Sequence, residues 1–256
     1  MNNPLFSCVI PVKGERPFFG EAIDSLKAQG LADGLEIIVQ DADVEPDDGQ
    51  SDALNKGFAK AKGEWLFWLN ADDVLLPGAL NKISQLLQSS THNSTNYPCW
   101  IAGDTVYLDE KGIVKDVRTD AKWRSWFGKR LSVWTGGPSA FFRRELWERC
   151  GGFAADLKYA MDIDLWTRWA KAGERFVGLG DYVWGFRMHD ESKTGSGRFA
   201  AEQAKELAAI DARYGVSTMG FWRNVTRVAS FVDGTWAKRR RDTSRMRGKQ
   251  WEAWAR

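Results

Sequence analysis

Short apolar runs alternate with stretches of helical period along the first third of the chain. The run from Phe6 to Val12 predicts a buried strand, ending at Pro11, Lys13 and Gly14. Phe19, Ile23 and Leu26 share one face of a predicted helix that Gly30 ends. Residues 35–39 form a second apolar run, followed by Asp41, Ala42 and Asp43. Ala53, Leu54, Gly57, Phe58 and Ala61 then recur at helical spacing, with Asp52, Lys56 and Lys60 opposite. Gly63, free to take a positive φ, predicts the helix stop. Residues 64–69 read as a third strand, ending in Asn70, Ala71, Asp72 and Asp73. Pro77 stands where a first helical residue would, ahead of Leu80, Ile83, Leu86 and Leu87. Strand–helix alternation of this kind implies an α/β fold with a mostly parallel central sheet flanked by helices.

Beyond residue 88 the pattern changes. Residues 89–97 are polar and predict a loop, and 100–117 predict a hairpin turning at 109–112. Residues 121–135, rich in Trp and Arg, show no clean period and predict an irregular segment with one short helix. A Gly136-Gly137-Pro138-Ser139 loop leads into apolar 140–142. A helix at 144–150 is broken by Gly151-Gly152, and a longer one spans 161–172. Residues 177–186 are again strand-like and end in Arg187, Met188, His189 and Asp190. Helix 199–214 follows. Phe221, Trp222, Val225, Val228, Ala229, Val232 and Trp236 then fall on one helical face, ahead of the basic run 238–241. The division this suggests is a domain at 1–198 and a C-terminal helical extension at 199–256.

Composition narrows the class. At 256 residues, 43% hydrophobic and 27% charged, the chain is globular and long enough for a large core. Net charge is only +2, but residues 237–256 carry eight Lys or Arg against Asp242 and Glu252, so the preceding 236 residues net −4. Cys8, Cys99 and Cys150 show neither metal spacing nor a disulfide framework, and read as reduced, buried thiols of a cytoplasmic protein. The start lacks the basic and apolar regions of a signal peptide, and no run reaches the roughly 20 apolar residues of a spanning helix. No GxGxxG is present, which argues against a dinucleotide site of that type. The fourteen Trp residues suit a core, a sugar-binding surface or a membrane interface.

Candidate chemistry concentrates at strand ends, where ligands of open α/β sheets sit. Two adjacent acids, Asp72 and Asp73, repel unless something compensates them. A divalent Mg²⁺ or Mn²⁺ does so while keeping positions for phosphate oxygens. The alternative is a solvated Asp-Asp turn ahead of the next helix. Asp162 and Asp164, two residues apart, lie about 200° apart around a helix, so at most one of them faces a shared site.

Taken together, CVIPVKG at the first strand, EPDDGQSDALNKG (45–57), GEWLFWLNADD (63–73), GGPSAFFRRELWERCGGF (136–153), YAMDIDLWTRWAKAG (159–173) and FRMHDESK (186–193) resemble the family 2 glycosyltransferases of GT-A fold, of the bacterial surface-polysaccharide type. The resemblance runs from Phe6 to about His189. It implies transfer of a sugar, with inversion, from a nucleotide-sugar donor to the hydroxyl of a saccharide or lipid-linked saccharide acceptor. Asn70 to Asp73 falls on the family's DxD-type element, with Asn in its first position. Asp72 is then the expected metal ligand, helped by Asp73, and His189 a further group at the metal or diphosphate. Asp162 matches the catalytic base, and Asp164 is expected to be structural. Pro11, Lys13, Glu15 and Asp41 match the nucleotide-facing strand ends, with Gln50, Ser51, Asn55 and Asn70 lining the same cleft. The step from Asp41 to Gly49 is shorter than the family's usual turn and strand. Arg187, Lys193 and Arg198 are candidates to neutralise phosphate. The acceptor is expected near Trp134, Gly137 and Ser139, with Trp123 and Trp126 as further rings able to stack on sugar faces.

The apolar stripe, the basic run and the Trp251/Trp254 pair suggest partial packing on the catalytic domain with weak contact to the inner face of a membrane, against the alternative that the helix packs and the tail is solvated. No nucleic-acid module is visible. Asn70 and the short loop leave a non-catalytic sugar- or membrane-binding relative as the alternative function. A nucleotidyltransferase lacks its expected glycine-rich signature.

Overall fold

The apolar run Phe6–Val12 forms β1, and both of its neighbours run parallel to it: β2 (Leu35–Asp41) on one side and β3 (Trp65–Trp68) on the other. The structure is a computed structural model. It describes residues 3–31, 34–90, 97–119, 135–190, 192, 199–216 and 234–255. Further along lie β4 (Val74–Leu75), β5 (Trp100–Leu108), β6 (Val114–Arg118), β7 (Ala140–Arg143) and β8 (Phe176–Arg187). All eight strands join one sheet in the order β2-β1-β3-β7-β5-β8-β4, with β6 paired to β5. The helices among the described residues are α1 (Phe19–Lys27), α2 (Gln50–Lys60), α3 (Ala79–Ser89), α4 (Arg144–Cys150), α5 (Met161–Ala172), α6 (Ala200–Tyr214) and α7 (Thr235–Met246).

The expected α/β architecture is present, and its parallel character is concentrated in β2-β1-β3. Past β3 the sheet is mixed. The β3–β7, β5–β7, β5–β6 and β4–β8 pairs are antiparallel, and β5–β8 is parallel. The tight turn between β5 and β6 permits only antiparallel pairing, because a parallel return needs a long crossover. That turn is where the sequence places it. The Gly112 amide donates to the Asp109 carbonyl at 3.0 Å, and Gly112 takes a φ of 74°.

Two glycines show how local chemistry sets the ends of elements. Gly30 has the expected positive φ of 72° after α1. Gly63 does not adopt one; its role is close approach. A Cβ there would stand 2.6 Å from the Ser7 backbone nitrogen and 2.7 Å from the Phe6 carbonyl carbon. Helix α2 has already ended at Lys60, with Ala61 extended. Pro77 likewise precedes α3 by two residues, with left-handed Gly78 between them.

Side chains alternate across the strands, so neighbouring residues feed opposite faces. Phe67 and Phe141 pack with Phe6, Leu26 and Ile83 under α1 and α3. Trp68 and Phe142 pack with Leu54, Phe58, Trp100, Trp166 and Trp169 under α2 and α5. Trp65, Trp68, Trp100, Trp166 and Trp169 are fully buried, so packing accounts for these rings. Trp166 stacks on Trp100 (5.2 Å, 12°) and on Trp68 (5.9 Å, 23°), tying α5 to the sheet.

A third cluster shows the packed part of the tail. Met246, Trp251 and Trp254 are buried against Val106, Leu108, Val117 and Tyr182. The Trp251 indole donates to Glu21 at 2.7 Å, and Lys249 and Gly248 bond the backbone of Val114. Lys238 bonds Asp104 at 3.1 Å and sits over the Tyr182 ring, while Arg239 pairs with Asp116 at 2.6 Å. The Trp251/Trp254 pair is therefore core, with no ring surface left for a bilayer. The apolar stripe at 221–233 lies outside the described residues. No described helix is long and apolar enough to cross a membrane. Of the three free thiols, Cys8 is buried as expected, and Cys99 and Cys150 are half-buried.

Gly63→Ala is expected to lower unfolding free energy by about 1–3 kcal/mol, because the clash is with backbone that cannot rotate away. Chemical denaturation would read this as a lower midpoint with the same slope; an unchanged midpoint would contradict the close-approach account.

Candidate active site

A cleft of about 820 Å³ opens beyond the carboxyl ends of β1 and β3. Its wall includes Pro11 and Lys13 after β1, Gln50 at the start of α2, and Asn70 and Asp72 after β3. Gly137, Asp162 at the start of α5, and His189 after β8 complete the predicted residues found there. Acids ninety residues apart in sequence thus share one cavity.

The two adjacent acids have different fates. Asp72 lines the cleft, and its Oδ2 lies 2.9 Å from His189 Nε2. Asp73 turns inward and is 0% exposed. It accepts the Arg187 backbone N–H at 2.9 Å and the Asn70 side-chain amide at 2.8 Å. Burial, together with the neighbouring Asp72 charge, pushes the Asp73 carboxyl well above its usual range. Asp73 is therefore a structural pin that faces away from the cleft, against the expectation that it helps hold a metal, while Asp72 and His189 line the cleft. Asn70 links the pin to the cleft by accepting from Gln50 at 2.9 Å.

Arg187 also departs from expectation. Only 1% exposed, it is a hub rather than a phosphate-facing cation. Its guanidinium donates to the carbonyls of Asp72 (2.9 Å) and Glu110 (3.0 Å), pairs with Glu21 at 2.7 Å and lies over the Phe18 ring. Glu21 is the residue that Trp251 also bonds, so the C-terminal residues brace the strand end that presents Asp72. Phe18 in turn lies 5.6 Å, ring to ring, from His189.

Asp162 and Asp164 separate as helical geometry requires. Asp164, 1% exposed, accepts from Arg168 at 2.9 Å and from the Tyr214 hydroxyl at 2.8 Å, a structural role. Asp162 lines the cleft and accepts the Ile163 amide at 2.8 Å. Desolvation by burial raises its pKa to about 6, opposed by the amides of Ile163 and Gly137 and by the Arg118 guanidinium. A carboxylate with that pKa is ionised at neutral pH and still basic enough to take a proton.

Several predicted side chains point elsewhere. Ser51 donates its hydroxyl to the Leu157 carbonyl at 2.9 Å. Asn55 exchanges two bonds with the Phe153 backbone, at 3.0 and 2.9 Å. Both are spent holding the segment ahead of α5. Ser139 is buried and donates to the Gly136 carbonyl at 2.7 Å, so its hydroxyl serves the turn rather than an acceptor. Asp41 accepts the Asp43 amide and shapes its own loop, and neither it nor the exposed Glu15 lines the cleft. Trp134, Trp123, Trp126, Lys193 and Arg198 lie outside the described residues. Unanticipated wall residues include Arg118, Lys158, Tyr159, Trp184 and Gln203. Tyr159 sits in the quoted motif and was within reach of sequence reasoning. Gln203, on a helix with no matching motif, was not.

The donor set bears on a metal. Among the described residues, no three His, Cys, Asp or Glu side chains converge on a common point that would hold an ion. Asp72 and His189 supply one oxygen and one nitrogen from two strand ends. Such a pair suits a Mn²⁺- or Mg²⁺-like ion whose remaining positions go to phosphate and water.

Comparison with known proteins bears on the family and the fold. Residues 43–150 match the family model for Glycosyl transferase family 2. An uncharacterized glycosyltransferase of Rickettsia typhi is 25% identical over 233 residues, covering 81% of this chain and 70% of that protein. Another, of Rickettsia felis, is 30% identical over 193 residues, covering 64% of this chain and 31% of that protein. Among solved structures, S. aureus TarS 1-349 in complex with UDP-GlcNAc matches with a TM-score of 0.59 at 16% identity, over 81% of this chain and 65% of that one. The mannosyltransferase PcManGT from Pyrobaculum calidifontis, in complex with GDP-Man and Mn²⁺, matches with a TM-score of 0.57 at 19% identity, over 92% and 76%. These structural likenesses carry the fold, which is GT-A.

Arg187→Lys keeps the charge and loses the fork that serves carbonyls and carboxylate together. Unfolding free energy should fall by about 1–3 kcal/mol as buried carbonyls lose their donors. In the same denaturation assay, Lys13→Ala at the exposed rim should be near neutral; equal effects would remove Arg187 from its hub role.

Proposed function

We propose that the chain, whose residues 43–150 match the family 2 glycosyltransferase model, moves a sugar, with inversion, from a nucleotide-sugar to an acceptor hydroxyl in the synthesis of cell-surface polysaccharide or lipopolysaccharide. The observation that carries the reading is the shared cleft: Asp72 with His189 on one part of its wall, and Asp162, its pKa raised to about 6, on another.

In this mechanism the acceptor hydroxyl lies against Asp162. Its oxygen attacks the anomeric carbon as Asp162 takes the proton. The bond from the anomeric carbon to the diphosphate oxygen breaks, and its electron pair leaves with the nucleoside diphosphate. Asp72 and His189 would hold the divalent ion, which when bound neutralises the charge gathering on the leaving diphosphate. Pro11, Lys13 and Gln50 bound the donor end of the cleft. Gly137 flanks the base: a Cβ there would meet the Trp68 ring at 2.2 Å and Asp162 Oδ2 at 3.2 Å, so the backbone approaches both closely. The binding of UDP-GlcNAc by one structural neighbour and of GDP-Man with Mn²⁺ by the other makes those two donors the first to test. A lipid-linked acceptor would bring the protein to the inner membrane face. Arg240, Arg241 and Arg245, all exposed on α7, are the groups placed for that contact.

Asp162→Asn should reduce transfer by about 10²–10⁴-fold while nucleotide binding persists. For the wild type, kcat/KM should fall about tenfold per pH unit below pH 6 as Asp162 takes up its proton. Retained turnover in the variant, or a flat profile through pH 6, would exclude Asp162 as base. The same raised pKa has a stability sign. Between the unfolded value near 3.8 and the folded value of about 6, the unfolded chain releases the proton first, so stability declines as pH rises through that window. Asp162→Asn should therefore raise the melting temperature at pH 7. Asp72→Ala should abolish the Mn²⁺ dependence of nucleotide binding in titration calorimetry, and an unchanged dependence would contradict the assignment.

A further inference from the structure

Helix α6 and the turn that delivers Asp162 both lie outside the segment that matches the family model, residues 43–150, and they touch each other. Its Glu206 carboxylate accepts three successive backbone N–H groups. Lys158 donates at 2.9 Å, Tyr159 at 2.8 Å and Ala160 at 2.8 Å. These amides lead into the N-terminus of α5, where the first donors have no partner within the helix. The residue at the cap position, Ala160, has no side-chain oxygen to serve them. Glu206 does not cap those donors; it accepts from the three amides just ahead of the helix and so fixes the turn that enters α5. Asp162 follows two residues later.

The contact is broader than one carboxylate. The Gln203 side-chain amide reaches the Tyr159 carbonyl at 3.4 Å. The Tyr159 ring stacks on Phe199 at 5.1 Å and 26°. Tyr214, at the far end of α6, donates to Asp164 at 2.8 Å. Helix α6 therefore grips the segment around Asp162 on both sides. Lys158, Tyr159, Asp162 and Gln203 all line the cleft. With Glu206 removed, three adjacent amides lose their carboxylate acceptor, and the turn keeps only the Ser51 and Gln203 bonds and the Phe199 ring contact beside it.

We propose that Glu206 is a positioning residue for Asp162, and that α6 thereby belongs to the catalytic apparatus rather than to a detached extension. This rests on the reading of Asp162 as the base. The experiment uses the full chain with Mn²⁺ and either UDP-GlcNAc or GDP-Man, following hydrolysis with water as acceptor, alongside amide hydrogen exchange. Glu206→Ala should lower kcat about 10- to 100-fold, the cost of misplacing a reacting group by a fraction of an ångström to an ångström. Donor KM should stay unchanged, and faster exchange should be confined to residues 158–163. Glu206→Gln, which keeps the shape and an accepting oxygen, should recover much of the rate. A lower melting temperature in Glu206→Ala with wild-type kcat, or faster exchange spread over the whole of α5 and α6, would overturn the proposal and leave a purely structural contact. Equal hydrolysis by wild type and Asp162→Asn would instead overturn the parent reading of Asp162.

Discussion

Two carboxylates side by side at the end of a buried strand cannot both stay charged and close without compensation. The chain resolves this by sending them in opposite directions. Asp73 goes into the protein, where the Arg187 amide and the Asn70 side chain bond it and burial pushes its pKa up. Asp72 goes outward to the cleft beside His189. Arg187 sits at the centre of this arrangement. Its amide holds Asp73, its guanidinium holds the Asp72 carbonyl, and His189 follows two residues later on the same chain. The ends of β3 and β8 are thereby locked together, and both groups able to meet an ion are presented on one wall.

The part of the wall that carries Asp162 is held by bonds of the same kind. The segment ahead of α5 is fixed by Ser51 and Asn55 from α2 and by Glu206 from α6. The Trp68–Trp166–Trp100 stack supports α5 from beneath. Asp162 is then the carboxylate left facing the cavity, while Asp164 on the other side of the helix bonds Arg168 and Tyr214.

Much of this was legible in sequence, for identifiable reasons. Apolar runs and helical periods placed β1, α1, β2, α2 and β3 in order, and the 100° step of a helix separated Asp162 from Asp164. Periodicity does not report which of two adjacent acids turns inward, because that depends on Arg187, more than a hundred residues away. Ser51 and Asn55 resemble binding residues by type and position, yet their partners Leu157 and Phe153 come from a distant segment. The two-residue β4 is too short to leave a pattern. Trp251 and Trp254 carry the composition of an interfacial anchor, and only the fold reveals that the β5–β6 hairpin and Glu21 claim them. The change from parallel to mixed pairing past β3 was equally invisible, since strand direction is set by connection length and not by the run itself.

The account stands or falls on where a nucleoside diphosphate and its ion settle. A crystal structure of the chain soaked with Mn²⁺ and UDP or GDP, with anomalous differences recorded for manganese, addresses that directly. The prediction is a manganese peak within coordination distance of the Asp72 carboxylate, with the diphosphate beside it and open space leading to Asp162. A manganese peak bound away from Asp72, or a diphosphate seated outside the cleft, would contradict it.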